Sequence, residues 1–111
     1  MIAGTDHLPK EHRMRTLVIF EFPSEGPWGD DMTAAYSALA EDIAGEPGLL
    51  WKIWTEAPDR KVAGGVYLFE DEASAQAYTA KHSERLKQFG ITGIDVRQYS
   101  DNEALSKITR G

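Results

Sequence analysis

The stretch LLWKIWTE, residues 49–56, decides how the chain must fold. Its two tryptophans stand three residues apart, with Lys52 and Glu56 interleaved, in a run of strand-forming side chains. Successive side chains of a strand point to opposite faces of the sheet. Trp51 and Trp54 therefore lie on opposite faces, and each face carries a large aromatic ring. A strand of this kind has to be covered twice.

Reading outward, TLVIFEF (16–22) is β-branched and aromatic, which predicts a strand. PSEGPWGDD (23–31) is turn chemistry. A helix follows, capped by Asp30 or Asp31, with Met32, Ala35 or Tyr36, Leu39 and Ile43 as its apolar stripe and Gly45 and Pro47-Gly48 as its stop. After LLWKIWTE, the run APDRK (57–61) is a turn and VAGGVYLFE (62–70) a third strand, in which Gly64-Gly65 marks a bulge or a close backbone approach. Asp71 caps a second helix that runs to about Phe89, with Ala75, Tyr78, His82, Leu86 and Phe89 on its apolar side. IDVRQY (94–99) is a fourth strand, and DNEALSKI (101–108) a short helix capped by Asp101 or Asn102. The order β-α-β-β-α-β is the ferredoxin-like arrangement of the α+β class, an antiparallel sheet with two helices on one face.

Two helices cover one face of such a sheet, and the strands should then alternate apolar and polar. They do not: Val66 through Phe69 and Val18 through Phe20 are apolar on both faces. An uncovered second face would be too large an apolar patch for a monomer, so a second copy is expected to cover it, giving a homodimeric α+β barrel. Composition assigns Val18, Phe20, Phe22, Trp51, Ile53, Val66, Leu68, Ile94 and Val96 to the helix side. The remaining set is Ile19, Glu21, Lys52, Trp54, Glu56, Tyr67, Phe69, Asp95, Arg97 and Tyr99. It mixes rings with charges, which suits the lining of a pocket.

The bulk numbers exclude several classes. At 111 residues the chain suits one domain, expected over 14–111, with residues 1–13 an unpatterned N-terminal extension. A net charge of −6 without a basic stripe argues against nucleic acid. The absence of cysteine removes disulfides, thiolate nucleophiles and Cys-ligated metals, and fits a reducing compartment. No apolar run approaches the ~18 residues of a membrane span, and the start has no apolar signal core. The expected location is the cytoplasm. No clustered His/Asp/Glu set or dinucleotide fingerprint is present, so neither a metal nor another cofactor is expected.

GPWGDDM, EPGLLWKIWTE, AGGVYLFEDEASAQAY, KHSERLK and NEALSKI, taken in order over roughly residues 15–108, resemble the YdhR-type monooxygenases. These are small dimeric α+β-barrel proteins, related more distantly to the cofactor-free antibiotic-biosynthesis monooxygenases. The loop PSEGPWGD is longer than the family pattern, and Trp28 replaces a phenylalanine. The resemblance implies a homodimer, a ferredoxin-like fold and a pocket in each half of the barrel. In the related oxygenases, Trp, Tyr, Asn, Arg or His groups hold a phenolic substrate. Trp54, Tyr67, Arg97 and His82 are the matching types here, and no Asn falls in a strand.

Among the candidate groups, His82, Tyr67 and Arg97 would carry catalysis, with Trp54, Lys52, Phe69, Glu21, Glu56 and Tyr99 holding the substrate. His82 can act as a base, or it can be a core histidine bonded to a neighbouring group. Trp54 can stack on a flat substrate or fill the barrel, while Trp51 reads as plain core against the helices. Lys52 or Arg97 can hold a phenolate or carboxylate, or can pair with carboxylates across strands. Any oxygen chemistry would draw its electrons from the substrate. The expected activity is a cofactor-independent monooxygenation of small aromatic compounds, and the alternative is a non-catalytic binder of a small hydrophobic molecule.

Overall fold

A computed structural model describes residues 14–111, so the expected N-terminal extension lies outside the described residues. Strand β1 (Thr16–Pro23) leads into helix α1 (Gly29–Ala44), then β2 (Leu49–Ala57), a 3-10 turn at Pro58–Arg60, β3 (Val62–Phe69), α2 (Glu72–Gln88), β4 (Asp95–Ser100) and α3 (Glu103–Ile108). The sheet is antiparallel throughout, in the order β2-β3-β1-β4. This is the ferredoxin-like arrangement expected from the element order. Among the described residues, no helix is long and apolar enough to cross a membrane.

Helix ends follow local chemistry. The Asp71 carboxylate accepts the Ser74 N–H at 2.7 Å and starts α2, and the Asn102 side chain accepts the Leu105 N–H at 3.1 Å and starts α3. Helix α1 differs from expectation. Its N-cap is Trp28, which makes no side-chain cap bond, and Asp30 and Asp31 sit inside the first turn. There they face the positive end of the helix dipole rather than cap it. The Gly29 N–H is instead taken at 2.9 Å by the Glu56 carboxylate, which ties the start of α1 to β2.

The strand faces require the main correction. Val18 lies opposite Tyr67, which lies opposite Lys52, and Phe20 lies opposite Gly65, which lies opposite Trp54. Lys52, Trp54, Tyr67 and Phe69 therefore share the helix side with Val18 and Phe20. Trp51, Ile53, Val66 and Leu68, expected under the helices, lie on the other face with Leu17 and Ile19. Strands β1 and β4 sit as expected, with Val96 on the helix side and Asp95, Arg97 and Tyr99 on the opposite face. Alternation within each strand is correctly read; the phase between strands is not. It depends on register, and a slip of one residue exchanges the faces of a whole strand. A bulge at Leu50 adds to this. Leu49 pairs with Phe69 but Trp51 with Leu68, so the extra residue lets Leu49 and Lys52 face the same way.

The core lies between sheet and helices. Val18, Phe20, Ile43, Tyr67, Phe69, Ala75, Tyr78 and Leu86 form it. Each buried aliphatic or aromatic side chain there contributes roughly 1.5–3 kcal/mol. Aromatic contacts are mostly edge-on or tilted, as the ring quadrupole prefers: Phe20 meets Tyr67 at 5.6 Å and His82 at 5.1 Å between centroids. Opposite the helices, Trp51 (37%) and Ile53 (58%) remain exposed.

Candidate functional site

A cavity of about 520 Å³ opens between the sheet and the two long helices. That volume suits a small organic ligand. Its floor is Phe20, Lys52, Trp54 and Tyr67; its walls include Tyr36 and Leu39 of α1 and His82 and Leu86 of α2. The segment from Pro23 to Pro27 and residues 89–92 close its mouth. The long loop before α1 is therefore part of the site. Phe89, expected on the buried stripe of α2, is 58% exposed at this mouth.

Lys52 is the feature of the site that most needs explanation. Its Nζ lies 3.3 Å above the Trp54 ring and 4.6 Å from the centre of the Tyr67 ring. Among the described residues, no carboxylate pairs with it; the ion pairs use Arg15, Lys61, Lys81, Arg85, Arg97 and Lys107. Burial, and then the nearby Arg85 guanidinium, pull its pKa down to about 7. Against a lysine's usual value that is a cost of about 5 kcal/mol to the ammonium, at ~1.4 kcal/mol per unit. A desolvated cation over an aromatic face recovers about 2 kcal/mol. Burial outweighs the ring, so near neutrality a larger share of Lys52 is the neutral amine than of an ordinary lysine.

His82 is fixed from behind. Asp42 on α1 binds Arg85 Nη1 at 3.0 Å, and Arg85 Nε and Nη2 approach His82 Nδ1 at 3.3 and 3.1 Å. Nδ1 accepts, so the ring hydrogen sits on Nε2. Burial, the Lys52 ammonium and Arg85 lower its pKa to about 3. His82 is thus a neutral N–H donor at physiological pH, not the base that its ordinary pKa suggests. Its ring stacks on Tyr78 at 5.0 Å.

Tyr67 brings a hydroxyl to the cavity. It shares a hydrogen bond with the Tyr78 hydroxyl, Oη to Oη at 3.2 Å, in which either group can donate. Burial pushes the Tyr67 hydroxyl far above its usual value and that of Tyr78 to about 12, so both stay protonated. Trp54 stacks on Tyr36 with centroids 6.3 Å apart, and the area above its ring centre is taken by Lys52. A flat ligand cannot stack over that centre, so Trp54 serves as a seat for the lysine.

Of the residues singled out in the sequence, Lys52, Trp54, Tyr67 and His82 meet at the cavity. Phe69 does not reach it; it is wholly buried and backs Tyr67 and Tyr78 at 6.2 and 5.4 Å. Glu56 sits beside the loop as the partner of Gly29. Arg97, Glu21 and Tyr99 lie on the opposite face of β4 and β1, because those strands kept their expected phase while β2 and β3 did not. Arg97 pairs with Asp95 at 3.0 Å, and that carboxylate holds its pKa up. Sequence reading missed Arg85, Asp42 and Tyr36. Arg85 was within reach, since it follows His82 by three residues on a helix, where side chains are neighbours. The Asp42 and Tyr36 contacts depend on how α1 packs.

The fold and site define a small ferredoxin-like α+β protein with a ligand-sized, largely apolar cavity under its helices, into which Lys52, Tyr67 and His82 bring polar groups. The family model described as "Putative mono-oxygenase ydhR" matches residues 17–111, and the chain belongs to that family. Among solved structures it is similar to protein SO0527 from Shewanella oneidensis, with TM-score 0.59 and 18% identity over 80% of this chain and 92% of that one. It is also similar to SnoaB, a cofactor-independent oxygenase from Streptomyces nogalater, with TM-score 0.58 and 12% identity over 79% and 93%. A third likeness is to NE2512 from Nitrosomonas europaea, with TM-score 0.57 and 16% identity over 82% and 92%. At these identities the likeness concerns the fold. No curated protein matches the chain in sequence.

Proposed function

We propose that the protein is a cofactor-independent monooxygenase of small phenolic or hydroquinone-like compounds, acting in the cavity between sheet and helices. The Lys52 amine carries this reading: it faces the cavity without an ion-pair partner among the described residues, beside the Tyr67 hydroxyl and the His82 Nε2–H, while the one carboxylate among the lining residues, Glu25, pairs with Lys61. Such a site favours a ligand oxygen that can become an anion. Lys52 takes the phenol proton, and the resulting ammonium holds the phenolate while Tyr67 and His82 donate to it. The anion is electron-rich enough to reduce oxygen itself. All four electrons come from the substrate: one oxygen atom enters it and the other leaves as water with two substrate hydrogens. The chain's part is to deprotonate, orient and exclude water. Family membership and the likeness to an oxygenase support this reading. Arg97, Glu21 and Tyr99 have no part in it, being on the other face.

Oxygen uptake over a panel of hydroquinones and polycyclic phenols tests the activity. Uptake that disappears in Lys52→Met is expected. Flat traces alongside measurable binding would exclude catalysis and leave the second reading, a non-catalytic binder of a small hydrophobic molecule, which the largely apolar lining also fits. We further infer that two copies pack through the faces opposite the helices, where Leu17, Ile19, Trp51, Ile53 and Val66 form an apolar surface.

A further inference from the structure

The same lysine suggests a second chemistry that needs no oxygen. We propose that Lys52 is a carbonyl-reactive amine, and that the cavity takes small aromatic aldehydes by condensing them with it to an imine. This rests on the cavity reading above but not on monooxygenation.

Three features of the geometry converge on it. First, the amine has no carboxylate among the described residues to hold it as an ammonium, and the charged group near it, Arg85, is of like sign. A lysine desolvated in an apolar pocket beside another cation is a nucleophile near neutral pH. Second, the lysine is held in place. A Cβ on Gly65 would come within 2.7 Å of Lys52 Cε, so the bare glycine provides the trough in which the lysine stem lies, and Trp54 seats its end. Third, the oxygen that departs after attack needs hydrogen-bond donors, and the neighbours supply them. Tyr67 and His82 line the same cavity and present O–H and N–H groups.

The condensation balances without an oxidant. Lys52 Nζ bonds to the carbonyl carbon, and the carbonyl oxygen takes up a proton as the nitrogen loses one, giving a carbinolamine. The C–O bond then breaks as the nitrogen gives up its second proton and the hydroxyl takes one up through solvent, so water leaves and C=N remains. Tyr67 and His82 are placed to donate to the oxygen as it departs. A largely apolar, semi-enclosed cavity favours loss of water and slows its return.

Full-length protein is incubated with 4-hydroxybenzaldehyde at about pH 7.5, trapped with cyanoborohydride and mapped by peptide mass. An ordinary lysine holds only about one neutral amine in a thousand at that pH. Lys52 is expected to be modified at least tenfold faster than Lys61, Lys81, Lys87 and Lys107, with order-of-magnitude margin. Excess 4-nitrophenol should suppress that advantage by competing for the cavity, leaving the surface lysines unaffected. Gly65→Ala should also reduce the rate at Lys52 alone. Modification of Lys52 no faster than of the exposed lysines overturns the proposal. In the same protein, binding of 4-nitrophenol as its coloured phenolate separates the two readings. Phenolate binding without imine formation leaves the phenol site standing and removes the aldehyde; neither signal removes both.

Discussion

Burial acts in one direction on both titratable bases that face the cavity: it disfavours their protonated forms. Lys52 falls from 10.5 to about 7, through desolvation and then Arg85. Between those values the unfolded chain holds a proton that the native protein does not, so stability rises with pH across that window and is lowest below it. Lys52→Met removes the desolvation while keeping most of the stem. It should stabilise the protein by a few kcal/mol below about pH 7 and by progressively less toward pH 10.5, at up to ~1.4 kcal/mol per unit. Urea midpoints at several pH values would show it; a gain independent of pH would mean that Lys52 is not buried as a cation. His82 falls from 6.5 to about 3, from burial, then Lys52, then Arg85. The unfolded chain is protonated across that interval and the native protein is not, so stability drops as pH falls through it. His82→Gln cannot titrate and should flatten this acid limb. An unchanged limb would place its cause in other groups.

The two adjacent glycines of β3 look alike in sequence and act differently in the sheet. A Cβ on Gly64 would overlap the Phe20 carbonyl oxygen and lie 2.9 Å from the Phe20 carbonyl carbon and 3.1 Å from Glu21 Cα, all backbone atoms of β1. Backbone in a central strand cannot yield cheaply, so Gly64→Ala should destabilise by about 2–3 kcal/mol or more. A Cβ on Gly65 meets the far end of Lys52 at 2.7 Å. Gly65→Ala should therefore fold nearly normally, within about 1 kcal/mol, but displace the lysine from Trp54 and raise its pKa. Thermal unfolding and the pH dependence of 4-nitrophenol binding, measured on both variants, separate the two effects. Much of this level was legible in the sequence. Strand and helix positions, the Asp71 cap, the Asn102 alternative and the close approach at Gly64-Gly65 follow from local chemistry. The inter-strand phase does not. Choosing the more apolar set for the helix side fails because the helices stand off the sheet to enclose a cavity, and a cavity takes Lys52, Trp54 and Tyr67. Leu50 reads as one more apolar residue, and nothing local identifies it as the bulge.

For the whole molecule, that correction changes which side chains the proposed second copy would cover. The face opposite the helices was expected to carry rings and charges. Instead its middle is Leu17, Ile19, Trp51, Ile53, Val66 and Leu68, while Glu21, Asp95 and Arg97 cluster toward one end. An apolar centre with a charged margin is the composition of a stable interface, and it makes a better case for a homodimer than the mixed face did. Ile53 is the sharpest probe, at 58% exposed and on the opposite side of β2 from Lys52. A lysine placed there would be buried without a partner if two such faces meet, at about 3–5 kcal/mol for each unpaired charge. Each 1.4 kcal/mol is about tenfold in association, so Ile53→Lys should weaken the dimer by roughly a hundredfold or more. Sedimentation at micromolar protein should show a dimer for the parent chain and a monomer for the variant. Binding of 4-nitrophenol should survive in that monomer, because the cavity is enclosed by elements of one chain. A parent chain that sediments as a monomer would remove the partner altogether. A variant that remains dimeric would move the interface to another surface, and loss of phenol binding on dissociation would show that the cavity depends on the second copy.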